Sequence, residues 1–375
     1  MLTILPGVTT DMRGVGFVLL TLLLAAVISF AATPIVKAFS VKVGAIDVPK
    51  DNRRMHDHPI PRLGGLAIFL GFMFAVVLMV PLNGPEQGML LGAVIIVILG
   101  VFDDIYALPA KLKFVVQIAA ALVSVLSGNV IRILSNPNLL SEEPIWVLPA
   151  WLSVTITVIW IVAITNAVNL IDGLDGLACG VSTIGSAAML VIALLVSELD
   201  VAMIMGALVG ACIGFLPYNF NPAKIFMGDT GATFLGFIMA NMSVQGMFKV
   251  YTMISFVAPF LILGLPIFDV CFAVVRRLSK GQSPMQPDRS HVHHRLIDMG
   301  LSQKQAVGML YVISAILGLT AVMLTTSGAL KAMIFLVATA LAALIAWRVL
   351  LAGHTGGGGR SREEDEEEHH GPSER

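Results

Sequence analysis

The chain has 375 residues, 57% of them hydrophobic and 13% charged, with a net charge of −1 and a mean hydropathy of +0.89. Soluble domains carry about 25% charged residues, so a large soluble core is excluded and a chain whose solvent is mostly lipid is expected. The three cysteines, Cys179, Cys212 and Cys271, lie in or beside apolar runs; the odd count argues against a disulfide framework and makes them small buried hydrophobes.

About 20 consecutive apolar residues cross a bilayer as a helix. On that criterion the sequence predicts an all-α integral membrane protein with eleven spans, at 14–37, 62–82, 87–102, 112–128, 149–166, 179–196, 200–217, 230–247, 252–276, 305–326 and 330–350. The first run is too long for a signal peptide and has no A-x-A-like cleavage site, so it is expected to be retained. Residues 1–352 form the membrane domain. Residues 353–375, Gly-rich and then acidic, cannot bury apolar surface and are expected to be a disordered cytoplasmic tail.

The polar clusters follow the odd-numbered spans. Span 1 is followed by "KDNRRMHDHPIPRLGG", span 3 ends in "GVFDDIYALPAKLK", span 5 ends in "NAVNLIDGLDG", span 7 runs into "PYNFNPAKIFMGDTGA", and span 9 precedes "RRLSKGQSPMQPDRSHVHHR". The loops after these spans hold 15 of the 23 Lys and Arg residues, against four on the opposite side and four near the C-terminus. Cytoplasmic loops hold the excess of Lys and Arg, which puts these clusters in the cytoplasm, the N-terminus outside, and one composite site on the cytoplasmic face of the plasma membrane.

The residue types in these clusters carry specific chemistry. Asp103 and Asp104 end an apolar helix, where the dipole disfavours anions; they need a cation, either Lys113 or a metal ion. Asp229, between glycines at the start of span 8, is either a helix cap or a metal or phosphate site. Asn166, Asn169, Asp172 and Asp175 recur every third residue. Each such step turns an ideal helix by about 60°, so all four converge only if the helix loosens at Gly173 and Gly176. Oxygen donors without paired thiols suit Mg²⁺, with Mn²⁺ as a substitute, rather than zinc. The histidines of "HVHHR" (His291, His293, His294) sit with Arg295 in a basic loop that fits an anion better than a zinc ion. Hard-metal carboxylates, a basic loop and a membrane face suit phosphoryl transfer between a nucleotide-linked donor and a lipid. The rival reading, an ion-coupled transporter, requires ionisable groups at mid-membrane depth.

"PRLGG" at 61–65, "DD" at 103–104, "NAVNLIDGLDGLA" at 166–178, "FMGDTGA" at 226–232 and "HVHHR" at 291–295 together resemble the polyprenyl-phosphate N-acetylhexosamine-1-phosphate transferases. The resemblance spans about residues 15 to 350, and "HVHHRL" is more similar to the GlcNAc-1-phosphate branch than to the peptidoglycan phospho-MurNAc-pentapeptide transferases, the alternative within the family. It implies transfer of GlcNAc-1-phosphate from UDP-GlcNAc to undecaprenyl phosphate, releasing UMP, as the first membrane step of an envelope polymer such as teichoic acid. Implied roles are Asp229 and Asn169 as Mg²⁺ ligands, Lys113 as a phosphate contact, and Asp175, Asn219 and Phe226 at the uridine. His291, His293, His294 and Arg295 match the loop closing on sugar and pyrophosphate, and Asp103 and Asp104 match the pair usually called catalytic. Asn166, Asp172 and Arg62 are further substrate-binding positions. The partners implied are a UDP-N-acetylhexosamine, undecaprenyl phosphate and membrane lipid, with no nucleic acid, and with a homodimer left open.

Overall fold

The structure, a computed structural model, describes residues 12–49, 58–135, 145–246, 253–279, 281, 291–326 and most of 331–342. The expected tail and much of the last expected span lie outside the described residues. Twelve helices cover most of the rest: α1 (Met12–Lys42), α2 (Gly65–Met79), α3 (Gly84–Tyr106), α4 (Ala110–Leu126), α5 (Ala150–Leu170), α6 (Leu177–Leu195), α7 (Leu199–Asn219), α8 (Gly228–Gly246), α9 (Met253–Ile262), α10 (Gly264–Ser279), α11 (Val292–Asp298) and α12 (Gln303–Leu324). Two short antiparallel ribbons join them, β1 (Ile46–Asp47) with β2 (Ile60–Pro61) and β3 (Ile133–Ser135) with β4 (Ile145–Val147).

Among the described residues six helices, α1, α3, α5, α6, α7 and α12, are both long and apolar enough to cross a membrane. The chain is therefore an all-α membrane protein. Helices α2 and α4 occupy expected spans but are shorter, at 15 and 17 residues. The expected span 252–276 is two helices, α9 and α10, which meet at Leu263.

Helix α8 is the centre. All of its residues except Asp229 are buried, enclosed by α2, α3, α5, α6 and α7. Although Gln245 Nε2 near the end of α8 has no partner among the described residues, most polar groups on a helix buried on every side must find one. Asn241, for example, receives a hydrogen bond from Asn129 and donates to the Phe237 carbonyl at 2.7 Å. Helix α1 lies outside, against α7 and α2, and turns Phe17, Leu20, Leu23, Val27 and Phe30 outward, as a lipid-facing helix must. Cys179 and Cys212 are buried as expected, whereas Cys271 is exposed on α10: it sits on the flank that also exposes Phe268, Val275 and Leu278.

Candidate active site

The functional end of the bundle is built where the C-terminal ends of α3, α5 and α7 meet the N-terminal ends of α4, α6 and α8. The "PRLGG" and "FMGD" segments are joined by backbone bonds: Phe226 N donates to the Pro61 carbonyl at 2.8 Å, Gly64 N to that of Phe226 at 2.9 Å and Gly65 N to that of Met227 at 2.8 Å. This clip brings Arg62 over the start of α8. Gly228 has φ +70°, and a Cβ there would collide with the Arg62 carbonyl, so only glycine fits both the backbone and the space.

Asp103 and Asp104, adjacent in sequence, face different neighbours. Asp103 accepts from Lys113 Nζ at 2.8 Å, and the same nitrogen donates to Asp229 Oδ2 at 3.0 Å. Asp104 has a fully buried side chain. It accepts from Asp229 N at 3.0 Å, Thr230 N at 3.0 Å and Thr230 Oγ1 at 2.6 Å, and pairs with Arg62 Nε at 3.0 Å. The first amides of a helix need acceptors from outside it, and here they come from a neighbouring helix. The capping role expected as one reading of Asp229 is thus filled by Asp104, which leaves the Asp229 carboxylate to face Lys113 and, at 4.0 Å, Arg62 Nη2.

A cavity of about 390 Å³ opens here, lined by Arg62, Asn169, Asp172, Asp175, Asn219, Phe226, Asp229 and His294, and also by Asp47 and Gln303. A second space of about 30 Å³, lined by Asp103, Lys113, Gln117, Asn166 and Thr233, adjoins it. Asn169 and Asp229 line both. Asp104 lines neither.

The "NAVNLIDGLDG" stretch breaks rather than loosens: α5 stops at Leu170 and α6 starts at Leu177. Asn166, still on α5, donates to Gln117 Oε1 at 2.7 Å. Burial pushes the Asp172 carboxyl up to about 8, with the charges of Asp229 and Asp104 adding to the effect and Arg62 opposing it. Asp175 Oδ2 accepts from Asn221 Nδ2 at 2.9 Å and Ala223 N at 3.0 Å, and Asn219 Nδ2 donates to the Ile225 carbonyl at 3.0 Å. Both therefore shape the turn that presents Phe226, besides lining the cavity.

Of the "HVHHR" residues only His294 lines the cavity. His291 Nδ1 lies 2.8 Å from Asp269 Oδ2. His293 is buried against Gly173, whose missing side chain leaves room for the imidazole ring. Burial pulls His293 down to about 3, helped by neighbouring His294, so it stays neutral. The Arg295 guanidinium lies 5.5 Å from the centre of the Phe272 ring, on α10. Sequence reasoning missed Asp269, Gln117 and Gln303. Asp269 carried a signal, a lone carboxylate inside an apolar helix; the two glutamines carried none.

Among the described residues no three His, Cys, Asp or Glu side chains form a metal-binding group. The donors present still fit Mg²⁺, which is commonly held by one or two carboxylates with substrate phosphates completing the shell: Asp229 and Asn169 line one cavity and offer a carboxylate and an amide oxygen.

A family model described as glycosyl transferase family 4 matches residues 87–247. A Bacillus subtilis protein named "probable undecaprenyl-phosphate N-acetylglucosaminyl 1-phosphate transferase" is 43% identical over 79% of this chain and 81% of its own length. A decaprenyl-phosphate N-acetylglucosaminephosphotransferase of Mycolicibacterium smegmatis is 35% identical over 81% of this chain and 80% of its own. An undecaprenyl-phosphate alpha-N-acetylglucosaminyl 1-phosphate transferase of Escherichia coli is 30% identical over 82% of this chain and 86% of its own.

Proposed function

The chain belongs to glycosyl transferase family 4, and from that premise we propose that it transfers N-acetylglucosamine 1-phosphate from UDP-GlcNAc to undecaprenyl phosphate. An oxygen of the lipid phosphate forms a bond to the β-phosphorus of the donor. The bond from that phosphorus to the bridging oxygen breaks, and UMP leaves with the bridging oxygen. The products are undecaprenyl-PP-GlcNAc and UMP.

The observation that carries this reading is the pair of joined spaces. The large one has the volume for a nucleotide-sugar, and the small one holds Lys113 and Asp103 against the shared residues Asn169 and Asp229. A donor in the large cavity and an acceptor phosphate at Lys113 would meet at Asp229. A phosphate monoester has a second pKa near 6, so most of it is a dianion at neutral pH. Proton removal is therefore a small part of the barrier, and positioning with charge neutralisation is the larger part.

Each residue then has a task. Lys113, held between two carboxylates, presents a fixed cation to phosphate oxygens. Phe226 offers its ring as a stacking face for uracil on a turn held by Asp175 and Asn219. Arg62 and His294 bring further donors to the cavity wall. Asp229 and Asn169 would hold Mg²⁺, which when bound supplies neutralisation of the pyrophosphate charge. The 15-to-4 charge bias supports a cytoplasmic site, an external N-terminus and a plasma-membrane location, and the resemblance carried by the five sequence motifs supports a place at the start of teichoic acid or a related glycan.

UMP release by the purified protein, measured across a panel of UDP-sugars with undecaprenyl phosphate present, tests the assignment. UDP-GlcNAc should be the best donor. Preference for UDP-MurNAc-pentapeptide would move the chain to the peptidoglycan branch.

A further inference from the structure

Asp269 stands in α10 among apolar neighbours and is 2% exposed. A carboxylate in such a helix is expensive unless it is fully paired, and both of its oxygens are used by the segment that begins α11. Oδ2 lies 2.8 Å from His291 Nδ1, and Oδ1 accepts from Val292 N at 2.8 Å. An ionised carboxylate oxygen only accepts, so His291 Nδ1 carries a hydrogen and the ring is fixed in place.

The three histidine rings continue from there in sequence. His291 and His293 lie within 6° of parallel with centres 5.8 Å apart, and His293 and His294 are 4.3 Å apart. His294, the last of the three, reaches the large cavity. One turn along α11 the Arg295 guanidinium sits over Phe272, which lies nearly one turn beyond Asp269 on α10. A buried carboxylate contact is weak evidence for stability. A carboxylate at 269 is thus better explained by where it holds α11 than by stability alone.

We propose that Asp269 is a positioning residue for sugar-phosphate transfer: through the His291 ring and the Val292 amide it fixes the start of α11, and so fixes His294 at the wall of the donor cavity. The assignment rests on the transferase reading above. Asp269 itself lines neither space and lies outside the stretch matched by the family model; it acts through His294.

The test uses the purified full-length protein in nanodiscs, as wild type, Asp269→Ala, Asp269→Asn, His291→Ala and the double variant Asp269→Ala/His291→Ala. UMP release gives kcat and the KM for UDP-GlcNAc, and amide hydrogen exchange is followed over 291–298 and, as reference, over 226–232. Asp269→Ala should speed exchange at 291–298 at least tenfold and leave 226–232 unchanged. It should lower kcat/KM by about 10- to 100-fold, the scale of a small misplacement of a site group, mostly through the donor KM. Asp269→Asn keeps an acceptor for Val292 N and should recover most of the loss, while the double variant should be no worse than the poorer single one.

Unchanged exchange at 291–298 in Asp269→Ala would overturn the proposal. So would a rise of equal size at 226–232, equal loss in the Asn and Ala variants, or defects that multiply in the double variant. If Asp269→Ala does not fold, His291→Ala alone carries the same two expectations for exchange and KM. Absence of UMP release by the wild type would count against the proposed reaction, whereas the exchange comparison still decides whether Asp269 docks α11.

Discussion

Asp104, at the end of α3, holds the Thr230 hydroxyl at 2.6 Å and the Thr230 amide at 3.0 Å, with Asp229 N at 3.0 Å on its other oxygen. One carboxylate thus ties two helices together at the point where Asp229 must be aimed. Its neighbour Asp103 instead faces Lys113 and the small space beside the donor cavity. The division explains why two acids in a row end this helix: one builds the site and the other lines it.

Asp104→Ala removes the acceptor for two amides and the partner of Arg62. Taking away one member of a buried, hydrogen-bonded pair costs about 3–5 kcal/mol, whereas Thr230→Val, which removes a single bond, costs about 1 kcal/mol. Thermal unfolding in detergent should therefore rank wild type, Thr230→Val and Asp104→Ala in falling order. Asp103→Asn should keep close to the wild-type midpoint yet lose most of its transfer activity. A midpoint for Asp103→Asn as low as that of Asp104→Ala would erase the distinction.

Much of this end of the molecule was legible in the sequence. Apolar runs marked the helices, and the five polar motifs marked the end at which they meet, because charge sits at helix ends in an apolar protein. What could not be read was side-chain direction. Nothing in "DD" tells which acid turns toward α8, since the answer depends on a neighbour 125 residues away. Gly173 was expected to let a helix loosen. The helix stops before it, and the reason for glycine is the His293 ring from a segment more than 100 residues later. Asp175 and Asn219 were expected to read the nucleotide directly; their bonds to Ala223 N and the Ile225 carbonyl show a scaffold role that only the folded turn reveals.

His293 makes the docking of α11 sensitive to acid. Its folded pKa, about 3, lies below the ordinary value of 6.5, so the folded form prefers the neutral ring. That contribution is fully present above about pH 6.5 and is lost progressively as pH falls from there toward 3. The apparent unfolding midpoint should drop across this range, and His293→Gln should drop less. Gly173→Ala should undock the same ring at all pH values, lowering transfer and flattening the acid profile as His293→Gln does. An identical acid profile in wild type and His293→Gln would show that other groups govern it.

The proposed Mg²⁺ site, with oxygen donors at Asp229 and Asn169, predicts metal dependence. Transfer should vanish with EDTA, return with Mg²⁺ or Mn²⁺, and not return with Zn²⁺. Full turnover in metal-free buffer would remove Asp229 and Asn169 from the ligand role.

The 15-to-4 bias of Lys and Arg predicts the membrane topology. In a cysteine-free background, single cysteines at positions 57, 224 and 285 should resist impermeant thiol reagents in intact cells, and one near 138 should react. External labelling at 57 or 285 would place the site on the wrong side for a cytoplasmic nucleotide-sugar.

The most direct measurement is transfer of labelled GlcNAc-1-phosphate from UDP-GlcNAc to undecaprenyl phosphate by purified protein with Mg²⁺, comparing wild type with Asp229→Asn and Lys113→Met. Wild type should yield one organic-extractable labelled lipid per UMP released. Both variants should fold and lose at least about 100-fold in rate, as expected when a charged group aimed at the reacting phosphates is removed. Wild-type protein that forms no labelled lipid, or an Asp229→Asn variant with near-normal transfer, would contradict the assignment of this cavity as the site of reaction.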